Sequence, residues 1–181
     1  MPFPTDPAES AQYTQQLNNV NVSVDNVGAD LEVIHITYTH DEGAGVGEIE
    51  LLRLDPGRLK IYPHLSLLAH SAFVATADLD IGFRSYKQKD GTVVAENGVQ
   101  LFDSIDAGGG ALALTAWPSV TGASAAVAAS QVIEFEAAGP GVEGVYCAPE
   151  DAGLRMFASV DTANIEDGDT IEIIMVVSRS T

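Results

Sequence analysis

Cysteine is almost missing from this chain: Cys147 stands alone among 181 residues. One cysteine excludes an intramolecular disulfide and a cysteine-rich metal site. Basic residues are scarce as well. Eight Lys and Arg stand against 26 Asp and Glu, so the formal net charge is -18. That shortage argues against nucleic acid as a partner, because phosphate binding needs Lys and Arg on the surface. It argues less strongly against an anionic membrane. Aromatic residues make up 7%, with a single Trp, which is thin support for a sugar-binding platform. No apolar run approaches the ~18 residues of a membrane-spanning helix. The opening residues, MPFPTDPAESAQYTQQLNN, have no basic n-region and no apolar h-region, so no signal peptide is expected.

Motifs of defined chemistry are missing too. There is no GxGxxG opening a helix, no GxxxxGK[ST], no HExxH and no GxSxG. Gly108 to Gly110 have no Lys or Ser/Thr helix start behind them and read as a linker or tight turn. His35 and His40 are five apart, on opposite faces of a continuous strand. A zinc site needs about four convergent ligands. His70 lies in an apolar run and reads as a core or interface histidine. Asp161, Asn164, Glu166, Asp167 and Asp169 resemble a calcium loop only loosely, without the D-x-D-x-D-G spacing that sets its ligands. A solvated turn is the reading there. Asp78, Asp80 and the Asp41-Glu42 pair offer carboxylates of the kind glycoside hydrolysis uses, but any acidic all-β protein offers such pairs. Cys147 reads as an inert small hydrophobe. No cofactor, metal or catalytic residue is expected, and the chain does not read as an enzyme.

What is present is strand. Leu31 to His40 alternates Ile34, Ile36, Tyr38 and His40 against Val33, His35, Thr37 and Thr39. Asn21 to Asp25 is a short alternating piece, and further strands are expected at Glu48 to Leu54, Arg58 to Tyr62, Leu67 to Thr76, Leu79 to Tyr86, Thr92 to Ala95, Ala111 to Trp117, Gln131 to Ala137, Leu154 to Val160 and Thr170 to Ser178. Asp55-Pro56-Gly57 suits a type II turn and makes Glu48 to Tyr62 the best hairpin signal in the chain. Gly98 to Ala107 is ambiguous; Leu101, Phe102 and Ile105 at spacings of three and four favour a short helix. Pro118 to Ala129 reads as small and flexible. The expected fold is all-β, an antiparallel sandwich or barrel, jelly-roll-like, with about 8 to 10 strands. Residues 1 to 20 read as an extended N-terminal arm, in which Ala8 to Leu17 suit a short helix, and 21 to 181 as a single β domain.

The charge map is uneven. Arg53, Arg58 and Lys60 flank the Asp55-Pro56-Gly57 turn, and Arg84, Lys87 and Lys89 follow the next strands. These six residues form the candidate interface, a local basic surface on an acidic body, oriented toward an acidic partner. A scattered set that only offsets self-repulsion is the alternative.

The block GEIELLRLDPGRLKIYPHLSLLAHSAF, continuing to Leu79-Asp80-Ile81-Gly82-Phe83-Arg84-Ser85-Tyr86, Asp90-Gly91-Thr92 and Val94-Ala95-Glu96, resembles small structural proteins of tailed bacteriophage virions. Gly153 to Val177 resembles the closing hairpin of the same group. The resemblance implies a head decoration or cement protein, or another small virion component, without transferable catalytic residues. It implies the major capsid protein as partner, a homo-oligomer with a trimer as one closed form, and a place on the capsid surface after synthesis in the host cytoplasm. A glycan- or receptor-binding jelly roll of a fibre or tail is the alternative.

Overall fold

Period-two alternation sets which side of each strand faces inward. In the computed structural model, which describes residues 8–9, 25–26, 31–41, 45–149 and 152–180, β3 (Glu32–Thr39) buries Ile34, Ile36 and Tyr38 and exposes His35, Thr37 and Thr39. Its successors are β4 (Gly45–Leu54), β5 (Gly57–Ile61), β6 (Leu67–His70), β7 (Asp78–Phe83), β8 (Tyr86–Lys87), β9 (Val93–Val94) and β10 (Asn97–Asp106). Then come β11 (Leu112–Ala116), the single helical turn α1 (Ala125–Ala128), β12 (Ile133–Ala137), β13 (Leu154–Ile165) and β14 (Thr170–Ser180). Two-residue pieces, β1 (Ala8–Glu9) and β2 (Asp25–Asn26), precede them. Ten strands have four or more residues among those described.

The strands form two main sheets. The first runs β1-β4-β13-β7-β10. The second runs β11-β6-β14-β3-β2, with β5 beside the C-terminal half of β14 and β12 outside β5. Every pairing is antiparallel except β1 with β4. Both sheets turn apolar residues into one core: Leu52, Leu79, Ile81, Phe83 and Met156 from the first, Ile36, Ile61, Leu68, Ile173 and Met175 from the second. The expected all-β antiparallel fold is what the chain adopts.

Several local expectations are corrected. Glu48 to Tyr62 is not a hairpin. β4 lies in the first sheet and β5 in the second, so Asp55-Pro56-Gly57 is an arch between layers. Gly57 has φ 138°, which a type II turn does not use, and the flanks of β4 are taken by β13 and β1. The closing pair, β13 and β14, is likewise split between sheets. Gly98 to Ala107 is strand β10, not helix. The strand beginning at Leu67 stops at His70 rather than Thr76. Pro118 to Ala129 holds part of a 3-10 turn, Trp117–Ser119, and helix α1. Ala8 and Glu9 are strand, not helix; the rest of the arm and residues 21–24 lie outside the described residues.

Candidate functional site

Arg58 and Lys60 are two apart on β5, so they share its outward face. Both reach Glu134 on neighbouring β12: Arg58 Nη2 lies 2.9 Å from Oε2 and Lys60 Nζ 3.0 Å from Oε1. Glu134, by hydrogen bond and then by charge, holds the Arg58 guanidinium above its ordinary pKa. The Arg58 and Lys60 hydrogen bonds hold the Glu134 carboxyl below its own. The three side chains are 37–53% exposed, so the pairing contributes little stability.

The other four candidates go elsewhere. Arg53, on the first sheet, donates Nε to the Ala152 carbonyl at 3.2 Å and Nη2 to that of Pro149. Lys87 donates to the Tyr146 carbonyl and lies 5.9 Å from the Tyr146 ring centre. Lys89 sits half-buried after β8. Arg84, directly after β7, is 11% exposed and turned onto its own sheet. The basic set read from the sequence thus divides, and only Arg58 and Lys60 stand together on one outward face.

Arg84 centres the most built polar cluster among the described residues. Its guanidinium lies 2.7 Å from Glu48, 2.6 Å from Glu50 and 3.3 Å from Glu96, and stacks 3.9 Å above the centre of the Phe157 ring. Glu48 and Glu50 project from one face of β4 because they are two apart. Burial is the largest single influence on Arg84 and lowers its pKa. The hydrogen bonds and charges of Glu48 and Glu50 outweigh it and hold Arg84 above its ordinary value. Glu50 is 3% exposed, and its Oε2 has no hydrogen-bond partner. The sequence reading missed this cluster. The alternation of Glu48 and Glu50 was visible, but not that β13 would set Phe157 between β4 and β7.

A second charged cluster lies where β7, β10 and β13 meet. Asp78 is in register with Asp161 on one side and Asp106 on the other. Like charges in such positions oppose pairing. Burial, helped by Asp161, Asp103 and Asp78, raises the Asp80 pKa, while a hydrogen bond from the Ser104 N–H at 2.7 Å lowers it. A raised folded pKa means that the native state binds more protons, so Asp80 costs stability as pH rises through its titration. Asp80→Asn keeps an acceptor for Ser104 and removes the charge. We expect it to raise Tm by about 1–3 °C at pH 7, less in high salt, with the gain vanishing below the ordinary Asp range. Thermal melts at pH 3 and 7 check this; an equal effect at both pH values would refute it.

The remaining sequence candidates have structural partners. His70 is a core histidine, 5% exposed, donating Nδ1–H to the Ser71 carbonyl at 2.7 Å. His40 is buried and shares a 2.7 Å hydrogen bond with Tyr38, while His35 lies on the opposite face, 2.8 Å from Glu172. Asp169 accepts from the Glu166 N–H and the Ser71 hydroxyl, which closes the turn before β14. Among the described residues no group of three or more His, Cys, Asp or Glu is placed to hold a metal. Cys147 is buried. Trp117, Tyr38 and Tyr86 are buried, leaving Tyr62 half-buried and Tyr146 83% exposed. Among the described residues no helix is long and apolar enough to cross a membrane. Comparison with protein-family models, curated proteins and solved structures finds no match for this chain.

Proposed function

We propose that this chain is a virion structural protein that decorates a phage head and stabilises its capsid lattice. The observation that carries the reading is the Arg58–Lys60 pair, projecting from one strand of an otherwise acidic protein. The sequence resemblance, which covers most of residues 46–177, supplies the class of partner. Glu134 holds both cations in the free protein, and an acidic site on the capsid would take its place. Electrostatic matching of this kind sets encounter and register more than total affinity.

Co-sedimentation with empty phage capsids tests this. The protein is expected to pellet saturably. Arg58→Glu with Lys60→Glu should weaken binding by about tenfold or more, and Glu134→Gln, which frees both cations, should strengthen it. A protein that never pellets, or that binds equally well in both variants, would overturn the proposal. Tyr146, exposed beside Lys87, favours a glycan- or receptor-binding component as the second reading. There, glycan binding lost in Tyr146→Ala is the expected result.

A further inference from the structure

Between Asp106 and Glu134 the chain carries no Asp, Glu, Lys, Arg or His. In a protein of net charge -18 this is the longest stretch without a titratable side chain. Part of it lies on an open border. β11 is the outer strand of the second sheet, and the Trp117–Ser119 turn and α1 follow it. Ala113, Ser119, Thr121, Ala125 and Ala128 are exposed there, as are Leu114 at 46% and Val132 at 42%.

Two other borders are guarded. β12 carries Glu134 and Glu136, and charges on an edge strand discourage pairing with another chain. The outer flank of β10 is closed by residues 122–124: Asp103 N–H donates to Gly122 and Ser124 N–H to Leu101. β11 pairs only with β6 among the described residues. It has neither charge nor proline. Its one local device is a register shift between Leu112 and Thr115, where the Thr115 hydroxyl donates to the Ala113 carbonyl at 2.6 Å. A carbonyl so engaged keeps a second lone pair.

We propose that two copies of this chain associate through β11, edge to edge and antiparallel about a twofold axis. The occupant follows from charge. A twofold contact sets the same patch against itself. An acidic patch used that way places carboxylates against carboxylates, whereas residues 107–133 meet without a like-charge pair. Five residues of strand supply few hydrogen bonds, so the exposed uncharged side chains of Ala113 and Leu114 must close as well. The contact is a dimer, a closed homo-oligomer other than the trimer offered above as one closed form. It does not depend on the capsid reading, because it belongs to the isolated protein.

Sedimentation equilibrium on the full chain tests the proposal. The expected result is a monomer–dimer equilibrium that tightens as salt screens the repulsion of the two bodies. Leu114→Glu should weaken it by tenfold or more with an unchanged circular dichroism spectrum. If that variant misfolds, Ala113→Glu decides. Val93→Glu, at a site 63% exposed on β9, should leave it intact. Leu114 is central in β11, so Leu114→Cys should cross-link two copies under mild oxidation. A monomer at every salt concentration, a trimer, or a dimer unaffected by both Glu substitutions would overturn the proposal. Capsid co-sedimentation reads out separately, so either result can fail without the other.

Discussion

Arg84→Ala is expected to lower the melting temperature by about 10 °C at neutral pH, corresponding to a loss of ~3–5 kcal/mol for breaking a buried ion pair from one side. The reason is what stays behind. Glu50 is 3% exposed, and Arg84 is its partner at 2.6 Å. Without the guanidinium a carboxylate is left buried beside Phe157, its register partner on β13. Glu48 and Glu96, each 46% exposed at the side chain, turn to water and cost little. The stacking of Arg84 on Phe157 is lost as well, worth about 1 kcal/mol where partly desolvated.

Two controls separate these contributions. Adding Glu50→Gln to Arg84→Ala removes the stranded charge and should recover about half of the lost Tm. Arg58→Ala, at an exposed pair, should shift Tm by no more than about 2 °C. If Arg84→Ala melts within about 2 °C of the parent protein, the cluster is not the structural centre that its geometry indicates. If the double variant recovers nothing, the loss lies in the ring contact and not in the carboxylate.

Individual strands were legible because alternation reports directly on burial. Leu79, Ile81 and Phe83 alternate in sequence and are all buried in one core. The allotment of strands to sheets was not legible. Asp55-Pro56-Gly57 reverses the chain, and a reversal serves a hairpin or an arch equally well. The choice rests on partners far along the chain: β13 for β4, and β14 with β12 for β5. That choice also scattered the expected basic surface, since Arg53 and Arg58 flank one turn yet lie on different sheets.

Bulges explain the misreading of Gly98 to Ala107. Phe102 pairs with Ile81 and Ile105 with Leu79, three residues against two. Ser104 takes the strain with φ 54°. An irregular strand therefore buries residues at a spacing of three, which imitates a helix. Leu51 and Leu52, adjacent and both fully buried, record the same device in β4, where the pairing with β13 slips between Glu50 and Leu52. As for the candidate site, Arg58 and Lys60 were legible as a pair because they are two apart on one strand. The Arg84 cluster was not, since it needs three strands brought side by side.

Gly82→Ala is expected to be about as damaging as the loss of Arg84, for a different reason. Gly82 lies on the outward face of β7, where alternation would ordinarily allow any side chain. Instead β10 crosses directly over it. A Cβ built there falls 2.0 Å from the Asn97 carbonyl oxygen and 2.5 Å from the Gly98 carbonyl carbon. Both obstacles are backbone, so no rotamer change relieves them. The N-terminal half of β10 must move away from β7. Its displacement also disturbs Phe157, which is paired with Gly82 and would lie 3.3 Å from a Cβ at Gly98. Two glycines and one aromatic ring thus form a single packed unit, with Arg84 as its lid. Overpacking that backbone cannot absorb costs ~3 kcal/mol or more, about 8 °C or more in Tm. Gly47→Ala is the matched control: an added Cβ there meets nothing within 4 Å, so Tm should change by no more than about 2 °C. Hydrogen exchange locates the damage. Amides of residues 97–102 should lose protection in Gly82→Ala, while those of β3 and β14, in the opposite sheet, keep it. Uniform loss across both sheets would mean that the two layers fail together and that the crossing of β10 is no separate element of stability.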